Sequence, residues 1–416
     1  MRRIDTIVIG GGQAGLAMSR SLLDRGIDHV VIERGRIGER WRTERWDSLR
    51  LLTPNWQSRL PAFRYDGTDP DGYMSMPEVV GFFERYAESF HAPIETNTTV
   101  LSVERVRPGF RVETDRGLWM ADNVVIATGY SDVPFVPPVA RRLSPRIVQV
   151  VPTHYRNAAQ LPPGGVLVVG ASATGIQLAD EIRATGRPVT LAVGRHLRLP
   201  RRYRGRDILW WLDAMGMFDE TIDHVYDPRI SSNQPSLQLV GRTSVHALHV
   251  RRLAENGVRL LGRLAGAEHE RAFFDDDLIA TTAASDLKLA ELLLRVDAFI
   301  EKTSPGTPPA EHFEPTWPTA VHVTDRMLNM RAEKIETVLW ATGFKRHYPW
   351  LKIAVFDERG EIRQRYGITP VAGLYVLGLH FQRRRKSAFI DGVGDDATFL
   401  ADRIVKRVAF KALAAG

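Results

Sequence analysis

The 416-residue sequence predicts an α/β protein made of two strand–turn–helix–strand units, the second inserted into a domain that the carboxyl-terminal segment completes. Two stretches carry that prediction. "TIVIGGGQAGLAMSRSLL" from Thr6 and "VLVVGASATGIQLADEI" from Val166 each read as a buried strand, a glycine turn and a helix. A third observation is that "ETVLWATGF" echoes the earlier "DNVVIATGY" and is followed by "GLYVLGL" and a closing amphipathic stretch. In that stretch, "GDDATFLADRIVKRV", residues Ala397, Leu400, Ala401, Ile404, Val405 and Val408 fall on one helical face, with Asp395 as N-cap.

Taken in order, the first unit has a strand over 6–9, a turn from Gly10 to Gly15, a helix ending near Gly26, and the strand "HVVIER" closing at Glu33. The Arg- and Trp-dense "GRIGERWRTERWDSLRLLTPNWQSRLP" lacks periodicity and reads as a long functional loop. "MPEVVGFFERYAESF" has helical spacing, and "TTVLSVERV", "FRVETD" and "NVVIATG" are strands. The proline-rich "DVPFVPP" and "LPPGG" bracket the crossing into the second unit, whose helix is expected over 174–183 and whose next strand is "VTLAV". Residues 198–325 read as irregular and partly helical. The expected division is 1–158 and 331–416 for the split first domain, with 159–330 between them.

Composition narrows the chemistry. There is no cysteine, so disulfides, iron–sulfur clusters and thiol nucleophiles are excluded. His246 and His249 lack an evident third ligand, and no metal site is expected. No apolar run reaches the roughly 18–20 residues that span a bilayer. The opening residues read as a first strand rather than a cleaved leader, and the expected location is cytoplasmic. The net charge of +7 gathers locally in "RRYRGR" and "RRRK", but no basic motif of a nucleic-acid-binding module accompanies it, so nucleic acid is not an expected partner. Trp210 and Trp211 read as packing, with a substrate tunnel or a dimer surface as other readings. A homodimer stays open.

Gly10, Gly12 and Gly15 have the GxGxxG spacing, and their setting between a strand and a helix, with Glu33 closing the next strand, marks a Rossmann-type dinucleotide site. Glu33 can accept from two ribose hydroxyls, and its charge repels a 2′-phosphate, so this site suits FAD or NAD. The second unit has Gly170 and Gly175 with Ser172 at the middle glycine position, and Arg195 where an acidic residue would stand. A guanidinium there pairs with a 2′-phosphate, which suits NADPH. Two such sites imply hydride transfer between two cofactors. With no cysteine pair to receive the electrons, dioxygen is the favoured acceptor.

The motifs "GGGQAG", Glu33, "ERWR", "DSLRLLTP", "NVVIATGYSDVPFVP", "VQVVPTHYRN", "GASATG", "WATGF" and "GLYVLGL", in this order, resemble the bacterial flavin-containing monooxygenases, relatives of the Baeyer-Villiger and indole-3-pyruvate monooxygenases. The resemblance implies FAD, NADPH and O2, and transfer of one oxygen atom through a C4a-peroxyflavin to a small organic substrate at nitrogen, sulfur or a ketone. It places flavin contacts on Gly10, Gly12, Gln13, Ala14, Gly15, Glu33, Arg34, Arg40, Trp41 and Thr53. Nicotinamide-nucleotide contacts fall on Gly170, Ser172, Thr174, Gly175, Gln177 and Arg195, and further cofactor contacts on Gly129, Gly343 and Gly378. Two positions depart from the family pattern: Val151 stands at a fingerprint histidine, and Leu52 at an asparagine that lies over the flavin in mammalian-type enzymes. Thr53, Asn55 or the bound NADP itself are the candidates for oxygen activation instead. The amino end of the helix after Gly394 is expected to stabilise negative charge on a reduced ring. Two other readings remain: an NADPH oxidase or flavin reductase without oxygen transfer, and a non-catalytic nucleotide-binding regulator.

Overall fold

A computed structural model describes residues 1–225, 235–242, 247–303, 306 and 325–415; His246 lies outside them. The first sheet has seven strands. Ile94–Glu95, His29–Ile32, Arg2–Ile9, Gly117–Ile126, Phe110–Thr114 and Val100–Arg105 lie side by side, and Leu374–Val376 adds in parallel to Gly117–Ile126. Its central strands are apolar on both faces because both are covered. On one face the helix Gln13–Leu23 packs against the carboxyl-terminal helix Val393–Ala415, joining Leu16, Met18 and Leu22 with Leu400, Ala401 and Ile404 in one core. The closing strand and helix therefore rejoin the first sheet. The helix begins at Val393, so Asp395 sits in its first turn rather than at the cap, and it pairs with Arg384.

The helix Met76–Ser89 completes that core with Phe82, Phe83 and Tyr86. Its start is fixed by a capping box, in which Glu78 Oε2 accepts from the Ser75 N–H at 2.7 Å, and by Pro77 in the first turn.

The second sheet is fully parallel, in the order Val148–Val150, Ile335–Trp340, Gly165–Val169, Val189–Ala192, Arg259–Leu261. This moves both expected edges of the inserted region. Val148–Val150 precedes residue 159 and Ile335–Trp340 follows residue 330, yet both belong to this sheet. A strand buried on both faces has no alternation to reveal which sheet it joins; only its pairing does. The two crossings between sheets meet each other. Val133–Pro134 pairs antiparallel with Phe344–Lys345, the Phe135 N–H donates to the Gly343 carbonyl at 2.8 Å, and the Thr342 hydroxyl donates to the Phe135 carbonyl.

The irregular region contains the short helix Ile208–Ala214 and the long helix Leu278–Thr303, whose Leu289, Leu293, Val296 and Ile300 bury Leu209, Trp211, Leu212 and Phe218. Trp211 is core, and its Nε1–H donates to the Tyr203 carbonyl at 2.8 Å. Trp210 stands edge-on to it under the Arg206 guanidinium.

A partly buried histidine at a helix cap is expected to make the fold less stable in acid. His249 caps the helix Val250–Glu255, its ring nitrogen accepting from the Arg252 N–H, and desolvation with the nearby Arg198 charge pushes its pKa down to about 4. The folded ring stays neutral where the unfolded chain, near 6.5, binds a proton. Stability is therefore expected to fall as pH drops from about 6.5 to 4, by about 1–3 kcal/mol from this group. Urea unfolding of the wild type and of His249→Asn across that range checks it, the variant being expected to have the shallower dependence.

Candidate functional site

The two glycine turns are built alike. At Gly10, φ is +112°, and a Cβ there would lie 2.6 Å from the Ala127 carbonyl oxygen; at Gly170, φ is +108° and the same clash with Ala341 is at 2.4 Å. A Cβ on Gly15 would come within 1.8 Å of the Gly10 oxygen, and one on Gly175 within 1.8 Å of the Gly170 oxygen. In each unit the helix can approach its own turn only because the side chain is missing. The "ATG" segments are thus the floors of the two cradles. Gly129 and Gly343 lie just beyond those floors, each with open space where a Cβ would be.

Gly12 has nothing within 4 Å of its would-be Cβ, which leaves that backbone bare to a ligand. Ser172 takes the same place in the second unit with extended backbone, φ −78° and ψ −173°, that any residue adopts. The serine imposes no strain, and its hydroxyl caps no helix N–H.

At the first cradle Glu33 is fixed by two backbone donors, the Gly11 N–H at 2.6 Å and the Gly35 N–H at 2.9 Å. The carboxylate therefore stands at the rim of the turn, where the ribose of an adenine nucleotide lies in this fold. Trp41 Nε1–H donates to Gln13 Oε1 at 3.4 Å, its ring meets Phe83 edge-on, and the Arg45 guanidinium covers it at 5.4 Å. At Gly378, φ +83°, a Cβ would lie 2.8 Å from the Ala14 Cβ. Gln13, Ala14, Trp41 and Gly378 thus gather at one helix start. Arg40 ties the loop to the far side, donating to the Ser131 carbonyl and the Asp132 carboxylate. Arg34 turns outward to Glu44 at 3.1 Å.

Asn55 does not present a free amide. Its Nδ2 donates to the Asp69 carbonyl and its Oδ1 accepts from the Met74 N–H, both at 2.8 Å, so it ties down the 69–74 turn. Thr53 is half-buried two residues earlier.

The second cradle has the opposite sign. Arg195 is exposed just past the strand Val189–Ala192 and, among the described residues, has no carboxylate partner. The buried His196 beside it is anchored by Nδ1 at 3.0 Å from the Gly194 carbonyl. Thr174 lies in the first turn of the helix Ala173–Ala184, and Gln177 Nε2–H donates to the Leu239 carbonyl at 3.1 Å. The sequence analysis missed Gln238, a fully buried residue whose Nε2–H donates to the Ala171 carbonyl inside the turn. No local motif marks it.

Gly394 near the amino end of the carboxyl-terminal helix touches Pro61, its would-be Cβ 3.0 Å from the proline ring. A cleft of about 490 Å³ opens there, lined by Arg59, Pro61, Asp213, Lys386, Asp391 and Gly394. The basic run beside it is matched by acids: Arg384 with Asp219 and Asp395, Arg385 with Glu220, Lys386 with Asp219 at 3.0 Å. "RRYRGR" is likewise committed, Arg201 to Asp207, Arg204 to Asp297 and Arg206 over Trp210. Neither run is an open cationic face. Among the described residues no helix is long and apolar enough to cross a membrane, and no group of three or more His, Cys, Asp or Glu is arranged to hold a metal.

Comparison with known proteins agrees with this geometry. The pyridine nucleotide-disulphide oxidoreductase family matches residues 7–210. An uncharacterized CzcO-like oxidoreductase of Geobacillus kaustophilus is 33% identical over 97% of this chain and 98% of its own length. The indole-3-pyruvate monooxygenase YUCCA6 of Arabidopsis thaliana is 24% identical over 96% of this chain and 90% of its own. A flavin monooxygenase from Stenotrophomonas maltophilia, solved as a mutant, shares the fold with a TM-score of 0.70 at 18% identity, covering 98% of this chain and all of the other. A flavin and a nicotinamide cofactor are what these relationships imply. The chain belongs to the CzcO-like oxidoreductases, and it is related to the flavin-containing monooxygenases.

Proposed function

We propose that the protein is an NADPH- and O2-dependent flavin monooxygenase, with FAD in the first cradle, NADPH in the second, and a small organic substrate oxygenated at nitrogen, sulfur or a ketone. The observation that carries this reading is the contrast between Glu33, a carboxylate fixed by two N–H groups, and Arg195, an exposed guanidinium with no acid partner among the described residues. A 2′-phosphate is repelled by the first and recruited by the second. FAD held there would supply the hydride acceptor and the centre for oxygen activation. The chain's own part is to hold the adenosine hydroxyls at Glu33, to offer the bare Gly12 backbone and the helix starting at Gln13 to a pyrophosphate, and to keep water away with the packed loop around Trp41. At the second cradle Ser172 and Thr174 stand at the corresponding helix start. The Gly394 end of the last helix, next to Pro61, is the place for stabilising negative charge on a reduced ring.

Leu52 at the asparagine position and the committed amide of Asn55 favour one second reading, an NADPH oxidase that releases peroxide. A single experiment separates them. Under anaerobic conditions NADPH is expected to bleach the flavin absorbance of the purified protein; oxygenated buffer with an amine, a thioether or a ketone is then expected to return oxygenated product. Stoichiometric peroxide with every substrate class favours the oxidase. A colourless protein that takes up no FAD removes both.

Removing the guanidinium tests the cofactor assignment directly. Arg195→Ala is expected to raise the KM for NADPH about 10- to 100-fold, the worth of a charge-assisted bond, and to leave the KM for NADH nearly unchanged. Steady-state kinetics with the two nucleotides reads this, and an equal effect on both would reassign the 2′-phosphate.

A further inference from the structure

Gln57 is buried, 1% exposed, and neither its Oε1 nor its Nε2 has a hydrogen-bond partner. Among the described residues it is the one amide orphaned at both ends, since Asn123 and Gln238 each lack a partner at the oxygen alone. The hydroxyl of the next residue, Ser58, is equally buried and also unpartnered. A buried amide with nothing to bond is strongly disfavoured, so a partner from outside the chain is called for.

The surroundings say where that partner lies. Gln57 ends the short helical turn Asn55–Gln57, whose first side chain, Asn55, bonds backbone through both its nitrogen and its oxygen. Three residues on, Leu60 shares a core with Ala14 at the start of the first cradle's helix and with Val393 at the start of the last helix. Pro61 touches Gly394. The orphaned amide thus belongs to the segment 55–61, which meets the start of the last helix at Pro61 and adds Leu60 to the core shared with the first cradle's helix.

We propose that Gln57 is the polar contact for the edge of the flavin ring in this protein. A flavin edge presents both acceptors and an N–H donor, and a primary amide answers both kinds with separate atoms of one neutral side chain. The proposal rests on FAD occupying the first cradle, as argued above.

The test compares Gln57→Leu and Gln57→Met with the wild type, each as apoprotein and after loading with FAD, reading thermal midpoint, FAD affinity by flavin fluorescence, and the reduction potential of the bound flavin. Either variant is expected to bind FAD about 10- to 100-fold more weakly, or to shift its potential, while the apoprotein melts no lower than wild type because an unpaired amide is gone. Apoprotein that melts lower, with unchanged FAD affinity and potential, makes Gln57 a structural group held by water and overturns the proposal. A wild type that binds no FAD overturns the functional reading first. Should one variant fail to fold, the other has a different side-chain shape and gives the same readouts.

Discussion

Both halves of this protein depend on a helix resting directly on a carbonyl. At Gly15 and Gly175 the helix lies so near the preceding turn that a Cβ would sit 1.8 Å from an oxygen, and at Gly10 and Gly170 the turn is pressed as tightly onto the neighbouring "ATG" strand. Strand, turn, helix and floor form a single close-packed unit with no slack. The first backbone amides of each helix are thereby aimed at a fixed point above the sheet edge, where an anion is favoured by unsatisfied N–H groups and the helix dipole. Having made this unit twice, the chain differentiates the copies with one residue each at the rim, a carboxylate at Glu33 and a guanidinium at Arg195.

The same economy appears in the charge distribution. A chain with a net charge of +7 might be expected to show a cationic face, yet its densest basic run is answered locally by Asp219, Glu220, Asp395 and Asp396. Those acids come from the irregular region and from the start of the last helix, so the pairs fasten one to the other. Exposed pairs of this kind add little stability individually, but as a network they fix relative position. Arg195, which has no carboxylate partner among the described residues, is set apart by its place just past the second strand of the second cradle.

Much of this was legible in the sequence because it rests on local rules. The two glycine turns, Glu33, the helix 76–89 and the amphipathic tail are each set by residues within one turn or one strand of each other. What sequence reasoning misplaced depends on distant partners. The strand Ile335–Trp340 is buried at every position but Glu336, shows no alternation and fits either sheet by pattern; pairing with Gly165–Val169 decides it. Asn55 has the right chemistry for a site but is consumed by Asp69 and Met74, neighbours that a turn brings back to it. Gln57 and Gln238 had no motif at all, and their meaning lies in which of their atoms find partners.

The region least readable in sequence acts mainly on one loop. Arg201, 3% exposed, donates to the Leu52 carbonyl at 2.7 Å while lying over the Tyr73 ring, and Tyr73 in turn donates to Asp207 at 2.8 Å. Gly241 crosses the same loop so closely that a Cβ would lie 2.1 Å from the Leu51 oxygen. The carbonyls of Leu51 and Leu52 are thus gripped from the inserted region, while Asn55 secures the following turn from within the first. Between the short helical segments Glu39–Thr43 and Asn55–Gln57 the chain is held by the bond to the Leu52 carbonyl and a buried Arg–Asp–Tyr cluster, which limits the conformations open to Thr53 and Gln57.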